Sequence, residues 1–130
     1  MSNAAALYLQ CHRETMIADS AINRILMHPL ITRATANNTR GIYRVQIGTL
    51  KTEIQIMLVP STLKRGWFEF RISHTIKTPL QAVAYHPKVT ADSSRANALR
   101  RALYKILAYY RAATKKGHQP GEDWLVWPVW

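Results

Sequence analysis

Acidic side chains are scarce in this chain: seven Asp and Glu stand against eighteen Lys and Arg, for a formal charge of +11 and a pI near 10.3. Such an excess generates a positive field with few internal partners, which attracts polyanions, acidic proteins or anionic membrane surfaces. Cysteine is almost missing. A lone Cys11 excludes an internal disulfide and any Cys-rich metal site, and is expected as a small buried apolar residue. Glycine is sparse as well, five in 130 residues, and none of it forms a Gly-rich phosphate loop. No apolar run reaches the roughly 18 to 20 residues needed to span a bilayer. The start MSNAAALYLQ lacks the cationic flank and long apolar stretch of a secretory signal. A cytoplasmic protein without a membrane partner is the expectation.

Chemistry-bearing constellations are equally thin. His12, His28, His74, His86 and His118 lack the close helical or strand spacing of zinc ligands, and the few carboxylates form no obvious acid/base pair. There is no nucleophile elbow or Cys/His pairing. His74, Tyr85 and His86 stand near one another in sequence, but no spacing assembles them into a site. The expectation is a protein that is not an enzyme and holds no cofactor or metal.

What is present is enough apolar content, 48%, for one domain over residues 1–130, of which 117–130 forms a Trp-rich tail. Residues 4–12 alternate Leu7, Leu9 and Cys11 against Tyr8, Gln10 and His12, which suits an extra N-terminal strand, although the alanines also suit a helix. From Glu14 to Met27, the positions Ile17, Ala18, Ala21, Ile22, Ile25 and Leu26 recur at helical spacing until Pro29. The stretch ITRATANNTRG has neither period and reads as a loop. Three segments then alternate cleanly: Tyr43, Val45 and Ile47; Ile54, Ile56 and Leu58; Phe68, Phe70 and Ile72. Short connections with Gly48, and with Pro60, Ser61 and Gly66, make an antiparallel meander, to which LQAVAYHP adds a fourth, edge strand. The opposite face of this sheet carries Arg44, Gln46, Glu53, Gln55, Trp67, Glu69 and Arg71, a mixture of signs that predicts cross-strand ion pairs. Trp67 is expected beneath the C-terminal tail.

Asp92, Ser93 and Ser94 are N-cap candidates for a helix that runs through RANALRRALYKILAYYRAATKK to a stop at Gly117. Leu99, Leu103, Ile106, Leu107 and Tyr110 share one stripe of it and should cover the sheet. Arg100, Arg101, Lys105, Arg111, Lys115 and Lys116 fill the remaining arc, with no acid between Ser93 and Gly121. Solvated helices ordinarily mix signs. Tyr104 projects into this arc, where a ring flanked by arginines can stack on a base or sugar, or lie over guanidinium stems. Lys64 and Arg65, with Lys77 and Lys88, add positive loops.

In the tail GHQPGEDWLVWPVW, a spacing of three in extended chain turns Trp124, Trp127 and Trp130 to one side. Such a strip can fold back over the sheet, dock a second copy in a homodimer, or touch a ligand. Glu122 and Asp123 beside it repel phosphate.

The predicted fold class is therefore α+β, with a three- to four-stranded antiparallel meander packed against a long C-terminal helix and an N-terminal helix. The order of helix, three strands and long helix resembles the double-stranded-RNA-binding domain over roughly residues 14 to 116, with Ser94 and Arg95 where that family opens its last helix. The resemblance is one of topology: SRANALRRAL lacks that family's dense lysine and alanine pattern, and the connection before the helix is longer. No site residue is carried over. The function expected from the residues is DNA or RNA binding through phosphates, weakly sequence-specific, using Arg100, Arg101, Tyr104, Lys105, Arg111, Lys115, Lys116, Lys64 and Arg65. The other reading is a protein-interaction module or inhibitor that occupies an acidic partner.

Overall fold

Strict alternation of buried and exposed side chains organises the middle of the chain. In the computed structural model, which describes residues 20–128, β2 (Ile42–Ile47) buries Tyr43, Val45 and Ile47. β3 (Ile54–Pro60) buries Ile54, Ile56 and Leu58, and β4 (Phe68–Ile72) buries Phe70 and Ile72. The strands pair antiparallel in register, Tyr43 opposite Ile56 and Leu58 opposite Phe70, so the apolar residues share one face. Two further strands extend this meander at its edges. β1 (Ile31–Asn37) pairs with β2, and β6 (Ala91–Asp92) returns beside β4, giving the order β1-β2-β3-β4-β6. The architecture is α+β, as the periods predict.

The long helix α2 (Arg95–Lys115) packs on β3, β4 and β6, burying Leu99, Leu103, Ile106, Leu107 and Tyr110. Its ends are set locally. The Ser94 hydroxyl accepts from the Asn97 N–H at 3.0 Å, a cap whose removal costs about 1 kcal/mol. At the other end Gly117 adopts φ +88, and the N–H groups of Gly117 and His118 donate to Thr114 and Ala113 carbonyls, a Schellman stop. Helical residues 20–26, here α1, supply Ile22 and Ile25 to the same core. The rest of the helix expected from Glu14, the strand-like residues 4–12 and Cys11 lie outside the described residues.

Two predicted connections are corrected. ITRATANNTRG is a loop only at its end: Ile31–Asn37 forms β1, with Ala34 opposite Val45 and Ala36 opposite Tyr43, and residues 38–41 make the turn into β2. It shows no hydrophobic period because nearly all of it is exposed, and its backbone pairing with β2 fixes it instead. LQAVAYHP, conversely, is not a strand. Pro79 and Pro87 lack backbone donors, and Gln81 draws the backbone into a turn, its amide nitrogen donating to Ile76 and Val83 carbonyls and its oxygen accepting from Thr78 N–H.

The tail folds back. Glu122–Trp124 forms a short 3-10 helix, and β7 (Leu125–Val126) pairs with β5 (Thr75–Ile76) in a second, two-stranded sheet. Trp124 is buried and meets Tyr110 edge-on at 5.6 Å. That burial contributes about 4 to 6 kcal/mol of gross transfer free energy. Glu122 fastens the turn between β2 and β3: Lys51 N–H donates to both carboxylate oxygens at 3.0 Å, and Thr52 N–H and Oγ1 donate to Oε1 at 2.8 Å.

The three tryptophans do not face one way. Trp124 is core and Trp127 is 72% exposed, with one face stacked on His74 at 4.6 Å. Trp130 lies outside the described residues. Trp67 is covered by Lys64, whose Nζ sits 3.8 Å from the ring centroid, while the tail is anchored at β5 and Tyr110. On the outer sheet face Arg44 Nε donates to Gln55 Oε1 at 3.2 Å and Gln46 Nε2 to Lys51 O at 2.6 Å. Hydrogen bonds, not the predicted ion pairs, join the strands there: among the described residues no salt bridge involves Arg44, Glu53, Glu69 or Arg71.

Candidate nucleic-acid interface

Because α2 turns its leucines to the sheet, its opposite arc must face outward. Arg100, Arg101, Tyr104, Lys105, Ala108, Arg111, Lys115 and Lys116 are all exposed, as is Ala112. Tyr104 stands near the middle, 39% exposed, with Arg100 6.0 Å from its ring centroid and the His28 imidazole edge-on at 5.5 Å.

One member of the band is neutralised. Arg101 Nε donates to Asp92 Oδ2 at 2.8 Å. Asp92 is held below the usual carboxylate range first by the Ser93 N–H, which donates to its other oxygen, and then by Arg101. It is ionised at neutral pH and cancels Arg101 locally. The expectation that no acid reaches this arc is corrected at that position, since the partner lies just before the helix and returns through β6. None of Arg100, Lys105, Arg111, Lys115 and Lys116 makes a salt bridge among the described residues.

Grooves flank the helix on both sides. One, of about 290 Å³, runs between His28 and α2, with Leu107, Ala108 and Ala112 as its floor and Arg111 and Lys115 at its rim. The other, of about 710 Å³, lies between α2 and residues 80–89, walled by Tyr85 and Tyr109 with Lys88, Arg101 and Lys105 around it. Tyr85 and Tyr109 pack against one another at 5.5 Å, and burial raises the Tyr85 hydroxyl above its ordinary value. Tyr104 lines the first groove and another of about 400 Å³ with Tyr85, Asp92, Arg100 and Arg101, so it separates the two flanks.

The remaining predicted site residues are placed less centrally. Lys64 and Arg65 are exposed in the β3–β4 loop, at the sheet end where Phe68 pairs with Asp92 and α2 begins. Lys64 is engaged on Trp67. Lys115 and Lys116 stand at the opposite end of the helix. Arg95 is structural, donating to Asn38 O at 2.7 Å over the Phe68 ring. His28, Tyr85 and Tyr109 join the arc through long-range packing, which no spacing in the sequence signals. No group of three or more His, Cys, Asp or Glu among the described residues could hold a metal ion.

Two histidines couple this architecture to pH. Burial lowers His28 below its ordinary 6.5, with Arg111 adding repulsion, and its Nδ1 accepts from Leu30 N–H at 3.1 Å. Burial likewise lowers His74, whose Nδ1 lies 2.8 Å from Ser73 Oγ. Each folded environment prefers the neutral ring, so the stability they contribute is complete above the ordinary value and is lost as pH falls below it. Urea unfolding should show a falling midpoint between about pH 7.5 and about pH 5.5. A flat midpoint across that window would exclude the linkage. Asp92 and Glu122, both lowered, act in a separate and more acidic window.

Comparison with known proteins yields no relative: no family model, no curated protein and no solved structure matches the chain. No helix among the described residues is long and apolar enough to cross a membrane.

Proposed function

We propose that this is a non-catalytic nucleic-acid-binding protein that grips the phosphate backbone of DNA or RNA through the outward arc of α2. The observation that carries this reading is the row Arg100, Lys105, Arg111, Lys115 and Lys116, exposed on one rigid element and without a carboxylate partner among the described residues. Phosphates supply the missing counter-charge, and displaced counterions supply the driving force. The side chains offer charge in more than one direction and no bidentate pattern aimed at base edges, so sequence preference is weak. Five phosphate contacts give a log–log salt slope of about −3.5 on single strands and about −4.5 on duplex DNA. Fluorescence anisotropy with labelled oligonucleotides across salt concentrations measures that slope. Absence of binding at low salt removes the proposal.

A second reading rests on a different observation. Leu80, Val83 and Val89 are 47%, 75% and 49% exposed along the larger groove, beside Lys88 and Lys105. That combination also suits an acidic protein surface with apolar anchors. The protein purified without nuclease separates the two, since copurifying absorbance at 260 nm supports nucleic acid and its absence with a captured acidic protein supports the alternative.

A further inference from the structure

Given nucleic-acid binding by α2, the shape of its surroundings bears on the form of the polymer. A helix that reads duplex DNA enters a major groove about 12 Å wide, which its own diameter of about 10 to 12 Å nearly fills. It must therefore stand proud of its neighbours. α2 instead has His28 beside it on one flank and residues 80–89 on the other, each lining a trough along the helix where the edges of a duplex groove would have to close around it. A flexible strand can follow a trough that a rigid duplex cannot enter.

The aromatic rings point the same way. Tyr104 sits between the two flanks, amid cations and partly exposed. Duplex base faces are stacked on each other, so such a ring gains nothing from them. Unpaired bases present a face to any aromatic side chain, whatever their identity. The small side chains of Ala108 and Ala112 leave depth beside Tyr104, and Arg111 and Lys115 border that space. From Arg100 to Lys115 the helix advances about 22 Å, a length that suits a short site of about 4 nucleotides.

We infer that the preferred ligand is a single-stranded nucleic acid, laid across α2 with a base stacked on Tyr104 and its phosphates held by Arg100, Lys105, Arg111 and Lys115. This rests on the nucleic-acid reading above and narrows it. The groove chemistry is shared by single-stranded DNA and RNA, and both serve as probes.

The test uses the full chain and a labelled oligonucleotide of about 12 nucleotides, offered as single strand, as DNA duplex, as RNA duplex and as an abasic strand of equal charge. Single strands should bind at least about 10-fold tighter than either duplex at equal salt. Tyr104→Ala should weaken binding about 10-fold on the single strand and leave the abasic strand unaffected, while Tyr104→Phe keeps wild-type affinity, because the ring stacks and the hydroxyl is dispensable. Tyr104 is exposed, and circular dichroism verifies that both variants fold. Equal or tighter binding to a duplex, or equal weakening on intact and abasic strands, overturns this inference and leaves the phosphate reading standing. Failure of every probe to bind at low salt overturns both.

Discussion

Replacing Arg100, Lys105 and Arg111 together by glutamate should weaken oligonucleotide binding about 1000-fold, at about tenfold for each phosphate left without its cation. The three positions span successive turns of α2, are exposed, and make no ion pair among the described residues. Arg101 is a poorer choice although sequence places it in the same band. Its guanidinium is bound to Asp92, so reversing it sets two carboxylates against each other beside β6 and confuses binding with folding. The chosen variant carries less net positive charge than the parent, which relieves self-repulsion in the folded state. Its unfolding midpoint should therefore equal or exceed the parent's, and its salt slope should flatten by about 2 to 3. Anisotropy titrations and urea melts on the same preparations measure both quantities. Wild-type affinity in the folded triple variant would place the binding surface elsewhere, with Lys64, Arg65, Lys77 and Lys88 among the cations left to examine.

Which parts of this molecule can be read from its sequence depends on whether burial is one-sided. β2, β3 and β4 have one face in the core and one in water, so their period of two is printed in the residues, and α2 is legible through Leu99, Leu103, Ile106, Leu107 and Tyr110 for the same reason. β1 has almost no buried face, and its Thr and Asn composition resembles a loop. β6 is two residues long and exists because the chain returns beside Phe68 and Glu69. The cationic arc is legible as a consequence of the helix: once the leucines face inward, the arginines and lysines have nowhere else to go. The grooves are not. They depend on where residue 28 comes to rest, held by its own bonds to Leu30 and Ile31, and on residues 80–89, which the Gln81 hydrogen bonds and the Pro79 and Pro87 breaks shape. The Asp92–Arg101 pair is hidden for a related reason, since it spans nine positions and needs the turn between β6 and α2.

The tail shows the same dependence on tertiary placement. Spacing alone makes Trp124, Trp127 and Trp130 equivalent. The contact of Glu122 with the Lys51 and Thr52 backbone ends that equivalence, because it fixes the chain just where Trp124 can enter the core against Tyr110. Strand pairing then sends Leu125 toward Ile76 and leaves Trp127 outside on His74. An acidic residue that a phosphate-binding surface would reject is thus used at the opposite side of the problem, as an anchor for backbone donors, and its carboxyl is held low first by the Lys51 N–H and then by Thr52.

Gly48→Ala should destabilise the fold by about 3 kcal/mol or more. Gly48 adopts φ +52, in the left-handed region that a side chain occupies only under strain. A Cβ there would overlap the Tyr110 hydroxyl oxygen and its ring carbon Cζ, so the ring itself must move. Tyr110 has little freedom to do so. Its hydroxyl accepts from Thr49 N–H at 3.2 Å, its ring meets Trp124, and it belongs to the buried stripe of α2. Displacing it disturbs the β2–β3 turn, the tail and the helix together. Urea unfolding followed by tryptophan fluorescence should report a large fall in midpoint, with the Trp124 signal shifted toward that of an exposed indole even before the main transition. Tyr110→Leu in the same background removes the clashing atoms and should recover part of the stability, whereas strain from the positive φ persists. A Gly48→Ala protein as stable as the parent would mean that the turn can open without the helix, and that Tyr110 does not join strand, helix and tail into one cooperative unit.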